Sequence, residues 1–143
     1  MNLAKPSEGG CQCGAIRYRL TGEPVFLTIC HCNACKQQSG SAFGMSLRMR
    51  WSDVAVKGEP KRWTRPADSG AVVICAFCEN CGVRVWHEPS EKDFVHIKPG
   101  TLDHPEVLAP RYESWTTRKA PWLHVEGIEM SFERMPPRSS VAL

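Results

Sequence analysis

The residues of this sequence that could do chemistry are eight cysteines, which fall into three short clusters. The clusters are Cys11-Gln12-Cys13, Cys30-His31-Cys32-Asn33-Ala34-Cys35 and Cys75-Ala76-Phe77-Cys78-Glu79-Asn80-Cys81. Four thiolates close a tetrahedral zinc site, whereas three protein ligands leave a coordination position for water or a substrate. The middle cluster supplies three thiolates within one short segment, so it predicts a metal site that is open enough to be reactive.

The clusters divide into two sets of ligands. One set is the four-cysteine group, which consists of Cys11, Cys13, Cys78 and Cys81. The other is the three-cysteine group, which consists of Cys30, Cys32 and Cys35. The first set would tie the start of the chain to a later hairpin as a closed structural zinc site, which can contribute on the order of 10 kcal/mol to folding. The second set would hold a zinc ion with an open position and would supply the catalytic thiolates.

Spacing leaves two alternatives open. Cys75 lies three residues before Cys78 and can join either group, and a three-cysteine group completed by Cys75 would be closed. Cys75 can equally be an apolar packing residue within the run Val72 to Cys75. His31 is an alternative ligand, although on an extended strand its side chain points away from those of its two neighbours.

Structural disulfides and redox chemistry are the other common uses of clustered cysteines. Pairs of the form Cys-x-Cys and Cys-x-x-Cys are too close in sequence to brace a fold, and a redox Cys-x-x-Cys would leave six cysteines unexplained. The first eight residues lack the apolar core of a signal peptide, and the longest apolar run, Ala71 to Phe77, is too short to cross a bilayer. These features predict a cytoplasmic protein without membrane contact, and in that reducing compartment cysteine clusters more often bind metal.

Composition sets the broad class of the protein. With 143 residues the chain fits one domain that can bury a core of its own. Its formal net charge is +3, and the lysines and arginines are scattered rather than clustered. This mild positive charge suits a small anionic ligand and does not predict binding to nucleic acid.

Short runs with a period of two predict that the chain is built mainly from β-strands. In Ile16 to Leu20, for example, apolar and basic residues alternate, as expected for a half-buried strand. The predicted strands are residues 16–20, 25–32, 45–50, 54–56, 61–64, 71–77, 83–87, 94–97, 122–125 and 128–132. Residues two apart on a strand face the same side, so Cys30 and Cys32 should present their sulfur atoms together, as should Cys11 and Cys13.

The third cluster lies between two of these strands and is predicted to form the tip of a hairpin, with Gly82 completing the tight turn. Residues 36–40 are typical of a single helical turn ended by glycine. Because no repeat or long helix is visible, we predict one mainly β domain over residues 9–134. Residues 1–8 are predicted to be a flexible N-terminus and residues 135–143 a C-terminal tail.

Five short motifs between Gly9 and Phe132 resemble those of a known family. They are Gly10-Cys11-x-Cys13-Gly14 with Tyr18, Cys30-His31-Cys32-x-x-Cys35 with Ser39-Gly40-x-x-Phe43, Phe77-Cys78-x-x-Cys81-Gly82, Gly100-Thr101-Leu102-Asp103 and Ala120-Pro121-Trp122. In this order they are similar to the glutathione-dependent formaldehyde-activating family, which also includes centromere protein V. The resemblance implies a β-tent fold, in which twisted antiparallel sheets surround zinc knuckles. It also implies a structural zinc on the four-cysteine group and a second zinc on the three-cysteine group.

The same resemblance implies a carbon–sulfur lyase activity, in which formaldehyde and glutathione are joined as S-hydroxymethylglutathione. Two residues depart from the family pattern. Cys75 stands where no cysteine is expected, which bears on whether the second zinc site is open. Glu113 stands where relatives often carry histidine, which bears on the substrate.

Glutathione would bring two carboxylates, so cationic residues near the three-cysteine group are candidate binding residues. Lys36, directly after Cys35, is the first candidate for this role. The arginine candidates are Arg48, Arg50, Arg62, Arg65, Arg111 and Arg118. The histidines that could act as acid or base are His87, His96 and His124, although a lone histidine on a strand is more often structural. The tryptophans are expected in the core, and they are Trp51, Trp63, Trp86, Trp115 and Trp122.

The sequence therefore predicts a zinc-dependent carbon–sulfur lyase-type enzyme that resembles S-(hydroxymethyl)glutathione synthase and acts on a glutathione–aldehyde adduct or another small thiol. The alternative is a non-catalytic zinc-binding module in which both metals are structural and a β surface binds a protein partner. Fold alone does not separate the two, because function lies in the site rather than in the scaffold. The coordination of the second zinc does separate them. The sequence leaves the true substrate and the oligomeric state open.

Overall fold

The computed structural model describes Leu3 and residues 7–136. Over these residues the chain forms short β-strands, one α-helix and several single-turn 3-10 helices. The strands are β1 Ser7–Gly10, β2 Arg17–Leu20, β3 Phe26–Cys30, β4 Gly44–Arg50, β5 Val54–Lys57, β6 Lys61–Pro66, β7 Val72–Phe77, β8 Arg84–Glu88, β9 Phe94–Ile97, β10 Tyr112–Ser114 and β11 Met130–Phe132. The helix is α1 Asn33–Ser39, and the 3-10 helices are Trp51–Asp53, Pro99–Thr101, Pro105–Val107 and Thr116–Arg118.

The strands form two sheets, which confirms the prediction of a mainly β domain. The larger sheet has eight strands in the order β11-β10-β3-β4-β9-β8-β7-β6, and the smaller has three in the order β1-β2-β5. β10 is parallel to both of its neighbours, β3 and β11, whereas the other pairs are antiparallel. The late strand β10 therefore lies beside β3, which leads into the middle cysteine cluster.

The hydrophobic core is built from one face of the large sheet together with the small sheet. Leu27, Leu47 and Ile97 lie in register across β3, β4 and β9, and they share one buried cluster with Tyr18 and Leu20 of β2. Burying each large apolar side chain stabilises the fold by about 1.5–3 kcal/mol. Because side chains alternate between the two faces of a strand, the residues between these core positions face the opposite side of the large sheet.

That opposite face carries polar residues. Thr28 of β3 is in register with Ser46 of β4, and His96 of β9 is in register with His87 of β8. All four line the cavity described below. One face of the large sheet thus contributes to the core, and the other forms the floor of a cavity.

Two local predictions were wrong. Residues 122–125 do not form a strand: Trp122 lies in a turn and residues 123–125 are irregular, and Trp122 is 75 % exposed, so the apolar pattern there buries little surface. Cys11 and Cys13 lie in the turn after β1 rather than on an extended strand, because the Cys11 amide donates back to the Ile16 carbonyl at 3.0 Å. Turn geometry, not strand alternation, brings these two sulfur atoms together.

The ends of the predicted domain fall close to the edges of the described chain. Ser7 and Glu8 belong to β1, so the small sheet begins before the predicted boundary at residue 9. The remaining N-terminal residues 1–2 and 4–6, and residues 137–143 of the predicted tail, lie outside the described residues. Within the described ranges, the structure contains no helix with the length and apolar character needed to cross a bilayer.

Candidate metal centre

The four-cysteine group is assembled by two similar turns. Its four sulfur atoms all lie within 4.8 Å of one another, and the Sγ of Cys13 is 3.6 Å from those of both Cys11 and Cys78. In the first turn the Gly14 amide donates to the Cys11 carbonyl at 3.1 Å, and in the second the Gly82 amide donates to the Cys78 carbonyl at 2.8 Å. Both glycines have positive φ angles, of 77° and 76°. These are the left-handed conformations that favour glycine, as the sequence predicted for Gly82.

The three-cysteine group is assembled where β3 passes into α1. Cys30 is the last residue of β3, Cys32 caps the helix, and Cys35 lies in its first turn. The Cys32 Sγ accepts a hydrogen bond from the Cys35 amide at 3.4 Å, and Gly40 ends the helix in a left-handed conformation. All three sulfur atoms lie within 4.8 Å of one another. The helix cap therefore folds the cluster into a compact set of ligands.

The ionisation of the three-cysteine group indicates that it fits a cation. Hydrogen bonds from Cys30 and Cys35 lower the pKa of the Cys32 thiol to about 2. The hydrogen bond with Cys32 raises the pKa of Cys30, and those with Cys30 and Cys32 raise the pKa of Cys35. These bonds favour the ionised form of Cys32 and oppose ionisation of Cys30 and Cys35, and a bound metal ion would favour the thiolate form of all three.

The four-cysteine group also fits a metal ion. A hydrogen bond from the Ala15 amide lowers the pKa of the Cys13 thiol to about 6, and the Ile16 amide donates to the Cys11 Sγ at 3.2 Å. Amide donors of this kind stabilise thiolates. Both groups can therefore hold a metal ion, and sets of three or four soft sulfur donors are those that zinc prefers.

A cavity of about 480 Å³ opens beside the three-cysteine group. Cys30, Cys32 and Cys35 all contribute to its wall, whereas the four-cysteine group does not line it. Its other walls are largely apolar and aromatic and include Phe26, Trp115 and Phe132. A pocket of this size and character can hold a small organic molecule. Within the part of the chain that the structure describes, it is therefore the three-cysteine group that borders a space in which a substrate could sit.

Cys75 lies outside both groups. It is fully buried in β7, and its Sγ approaches the Val73 carbonyl at 3.9 Å. The alternative in which Cys75 closes the three-cysteine group does not fit this placement, since the structure groups only the other seven sulfur atoms. Cys75 is an apolar packing residue, as one of the two sequence alternatives had it.

His31 is likewise outside the ligand sets and belongs to a buried polar network. It is fully buried, and its Nε2 lies 2.9 Å from Oε2 of Glu113 on β10. The Glu113 carboxylate also accepts hydrogen bonds from Lys119 Nζ at 2.8 Å and Ser131 Oγ at 2.7 Å. Burial alone would raise the pKa of Glu113, but the bonds from Lys119, Ser131 and His31 lower it to about 2. The network fixes the residue between two candidate ligands.

Sequence reasoning missed this network because its members come from three distant segments. The sequence signal for it is the glutamate at position 113, which by itself predicts only a difference in substrate. In the structure Glu113 also has a structural role. It connects β10 to the peptide between Cys30 and Cys32, and the His31 amide also donates to the Ser114 carbonyl at 3.0 Å.

Two of the seven predicted cationic residues line the cavity, and the other five do not. Arg65 and Arg118 line the cavity, and the Arg118 guanidinium lies 4.7 Å from the centre of the Trp115 ring. Three others form ion pairs with glutamates, and they are Arg48 with Glu91, Arg62 with Glu88 and Arg111 with Glu129. Arg50 lies over the Phe94 ring. The Lys36 ammonium donates to the Arg118 carbonyl rather than lining the cavity.

Some of the candidate histidines and tryptophans lie in the expected places, and others do not. His87 and His96 line the cavity, but His124 is exposed. Burial lowers the pKa of His87, and Arg84 donates to its Nε2 at 2.9 Å, so the ring is neutral and its Nδ1 carries the proton. Trp86 is in the core with Trp51 packed edge-on against it, Trp115 lines the cavity, and Trp63 and Trp122 are exposed.

Gly44 gives a sharp test of how α1 positions Cys35. A Cβ at Gly44 would lie 3.0 Å from the Cys35 Cβ and 3.1 Å from the Cys35 carbonyl oxygen. Gly44→Ala should therefore displace Cys35 and lower the metal affinity of the three-cysteine group about tenfold, since overpacking costs about 1–3 kcal/mol. The measurement is a zinc competition titration that resolves the two sites.

Gly100→Ala is the matched control, because a Cβ at Gly100 would meet nothing within 4 Å. We expect it to leave both affinities unchanged. Equal affinities in the Gly44→Ala and Gly100→Ala variants would show that contact with Gly44 does not set the position of Cys35.

The model of the family described as "Glutathione-dependent formaldehyde-activating enzyme" matches residues 6–118. A protein of Halomonas elongata, named "Putative glutathione-dependent formaldehyde-activating enzyme", is 24% identical over 129 residues, which cover 85% of this chain and 82% of that protein. A crystal structure of a Rhodobacter sphaeroides protein has a similar fold, with a TM-score of 0.52 and 20% identity, covering 67% of this chain and 87% of that one. The chain therefore belongs to the glutathione-dependent formaldehyde-activating enzyme family.

Proposed function

We propose that this protein is a zinc-dependent carbon–sulfur lyase-type enzyme that joins, or separates, a small thiol such as glutathione and an aldehyde such as formaldehyde. One observation carries the proposal: the three-cysteine group forms part of the wall of a cavity large enough for a small organic molecule. The family and the name of the Halomonas elongata relative support the choice of thiol and aldehyde.

In this proposal each chain holds two zinc ions with different tasks. The four-cysteine group holds a structural zinc, and the three-cysteine group holds the second one. When bound there, zinc supplies an open coordination position at which a thiol is favoured as its nucleophilic thiolate. Residues 7–134 form the catalytic domain, since β1 begins at Ser7. We place the protein in the cytoplasm, because reduced cysteines and glutathione occur together there.

The cavity residues would bind and orient the substrate. Arg65 and Arg118 are the cations on its wall, so they are the proposed partners of substrate carboxylates. Trp115 has a φ of 58°, a left-handed conformation that is uncommon for residues other than glycine, and its ring supports Arg118. Lys36 takes part in binding through Arg118, whose carbonyl accepts from its ammonium.

The proposed reaction needs no oxidant. A bond forms between the thiol sulfur and the carbonyl carbon of the aldehyde, and the proton released by the sulfur ends on the former carbonyl oxygen. The apolar walls limit access of water to the adduct. The neutral His87 ring has its Nε2 occupied by Arg84, so its Nδ1–H remains as a hydrogen-bond donor on the cavity floor.

The decisive experiment combines zinc and thiol counts with an activity assay on one sample purified without chelator. We expect two zinc ions per chain, turnover of glutathione with formaldehyde and no readily titrated cysteine in the folded protein, because seven cysteines would bind metal and Cys75 is fully buried. One zinc per chain with three free thiols, and no turnover with any thiol–aldehyde pair, would reject the enzyme. That result would favour the non-catalytic zinc module that binds a protein partner.

A further inference from the structure

Lys98 is a buried cation that the proposed reaction does not use. It directly follows β9, it is 8 % exposed, and its Nζ donates a hydrogen bond to Ser46 Oγ at 3.2 Å. Among Leu3 and residues 7–136, no carboxylate oxygen lies within 4.0 Å of its Nζ. One hydroxyl does not offset the cost of burying an ammonium ion, so another negative group must lie nearby.

The sheet register places Lys98 beside the three-cysteine group. Ser46 and Gly44 are two residues apart on β4 and so share a face of the sheet. Gly44 is in register with Cys30, and the position of its missing Cβ is 3.0 Å from the Cβ of Cys35. The Lys98 ammonium, held at Ser46, therefore lies one step along the same face from the candidate ligands.

The charges that act on Lys98 also indicate that it lies near the three-cysteine group. Burial lowers the pKa of Lys98 to about 8, and the nearby Arg84 cation lowers it as well, whereas Cys35, Cys30 and Cys75 act against that shift. Of the cations on the cavity wall, Arg65 acts on Cys32 but is only half-buried, so solvent screens it more. Lys98 is thus the better shielded source of positive charge for the group.

The charges of three thiolates and one divalent metal ion do not cancel. Three thiolates carry three negative charges and a divalent cation carries two positive ones, so the metal-bound group keeps one net negative charge. A partly buried site with uncompensated charge binds its metal less tightly, because the charge is poorly solvated. One buried positive charge makes the assembly neutral.

We propose that Lys98 is a positioning residue that neutralises the metal-bound three-cysteine group from its buried position beside Ser46 and thereby sets the metal affinity of that group. This inference rests on the proposed function, because it takes the three-cysteine group as a metal site. Lys98 acts through the sulfur ligands and does not touch the substrate.

The test is a competition titration of the full chain with zinc and a chelator that resolves the two sites. Lys98→Met keeps most of the length of the side chain and removes its charge, and Lys98→Gln provides a second neutral variant. We expect the affinity of the three-cysteine group to fall about 10- to 100-fold in both, as for other residues that support metal ligands. The four-cysteine group should be unaffected. Lys57→Met, at an exposed position on β5, is the control and should change neither site.

Each outcome decides a separate point. If the wild-type chain binds only one zinc ion, the proposed function fails before Lys98 is considered. If the wild type binds two and both Lys98 variants hold the second equally tightly, the charge-neutralising role is wrong. It is also wrong if both sites weaken by the same factor, or if neither variant folds in the presence of zinc, because Lys98 would then serve the fold rather than the site.

Discussion

Cys35→Ser is expected to abolish turnover and to release the second zinc ion while the chain stays folded. A serine hydroxyl does not ionise at neutral pH, so two thiolates would remain where three are needed. A metal ion supplies several kcal/mol of transition-state stabilisation. Because about 1.4 kcal/mol corresponds to a tenfold change in rate, turnover should fall about 10³-fold or more. The measurements are zinc per chain, the rate of glutathione–formaldehyde turnover and the thermal unfolding temperature.

Cys75→Ala is the matched control for Cys35→Ser. Cys75 is a buried cysteine outside both groups, so its loss removes packing but no ligand. We expect two zinc ions per chain, unchanged turnover and a stability loss of about 1 kcal/mol. Turnover that persists in Cys35→Ser would refute the assignment of the three-cysteine group as the catalytic site.

Cys78→Ser is expected to prevent stable folding altogether. Cys78 is 2 % exposed and belongs to the core cluster, and it joins the β7–β8 hairpin to the turn after β1, where Cys13 lies 65 residues earlier. A structural zinc contributes on the order of 10 kcal/mol, which is comparable to the 5–15 kcal/mol net stability of a typical domain. Loss of the cooperative unfolding transition, followed by circular dichroism, is the expected result.

The neighbouring Glu79 offers a control on the same turn. Its carboxylate forms an exposed ion pair with Lys61 at 2.9 Å, and such pairs contribute about 0–1 kcal/mol. Glu79→Gln should therefore unfold close to the wild-type temperature. A cooperative transition of Cys78→Ser near that temperature would mean that the four-cysteine group does not hold the fold together.

The grouping of the cysteines could be predicted from the sequence because local turns bring neighbouring cysteines together. Cys11 with Cys13, and Cys78 with Cys81, are brought together within single turns, and a glycine with positive φ follows each pair. The alternation of β4 and β9 likewise predicted strands that the structure confirms. Patterns of this kind depend on neighbours in the sequence, which is why the strands and the clusters were recognisable.

The cavity could not be predicted because its walls come together through non-local pairing. Ser114 lies beside Cys30 because β10 pairs in parallel with β3, and no local sequence pattern predicts that pairing. The roles of Glu113 and Lys98 depend on the same long-range arrangement. Trp122 was predicted to lie in the core but is exposed. Residue type alone does not show which apolar side chains are buried by packing against another part of the protein.

The parallel pairing of β10 with β3 also has a consequence for the order in which the protein is made. Ribosomal synthesis delivers the N-terminal part first, at about 5–20 residues per second. The four-cysteine group is complete once Cys81 has emerged, whereas His31 must wait for Glu113, its partner 82 residues later. We therefore expect a nascent chain that is braced by its structural metal before the reaction cavity exists. Such an intermediate would carry thiolates without a finished pocket, so activity would appear only when the last strands have been released.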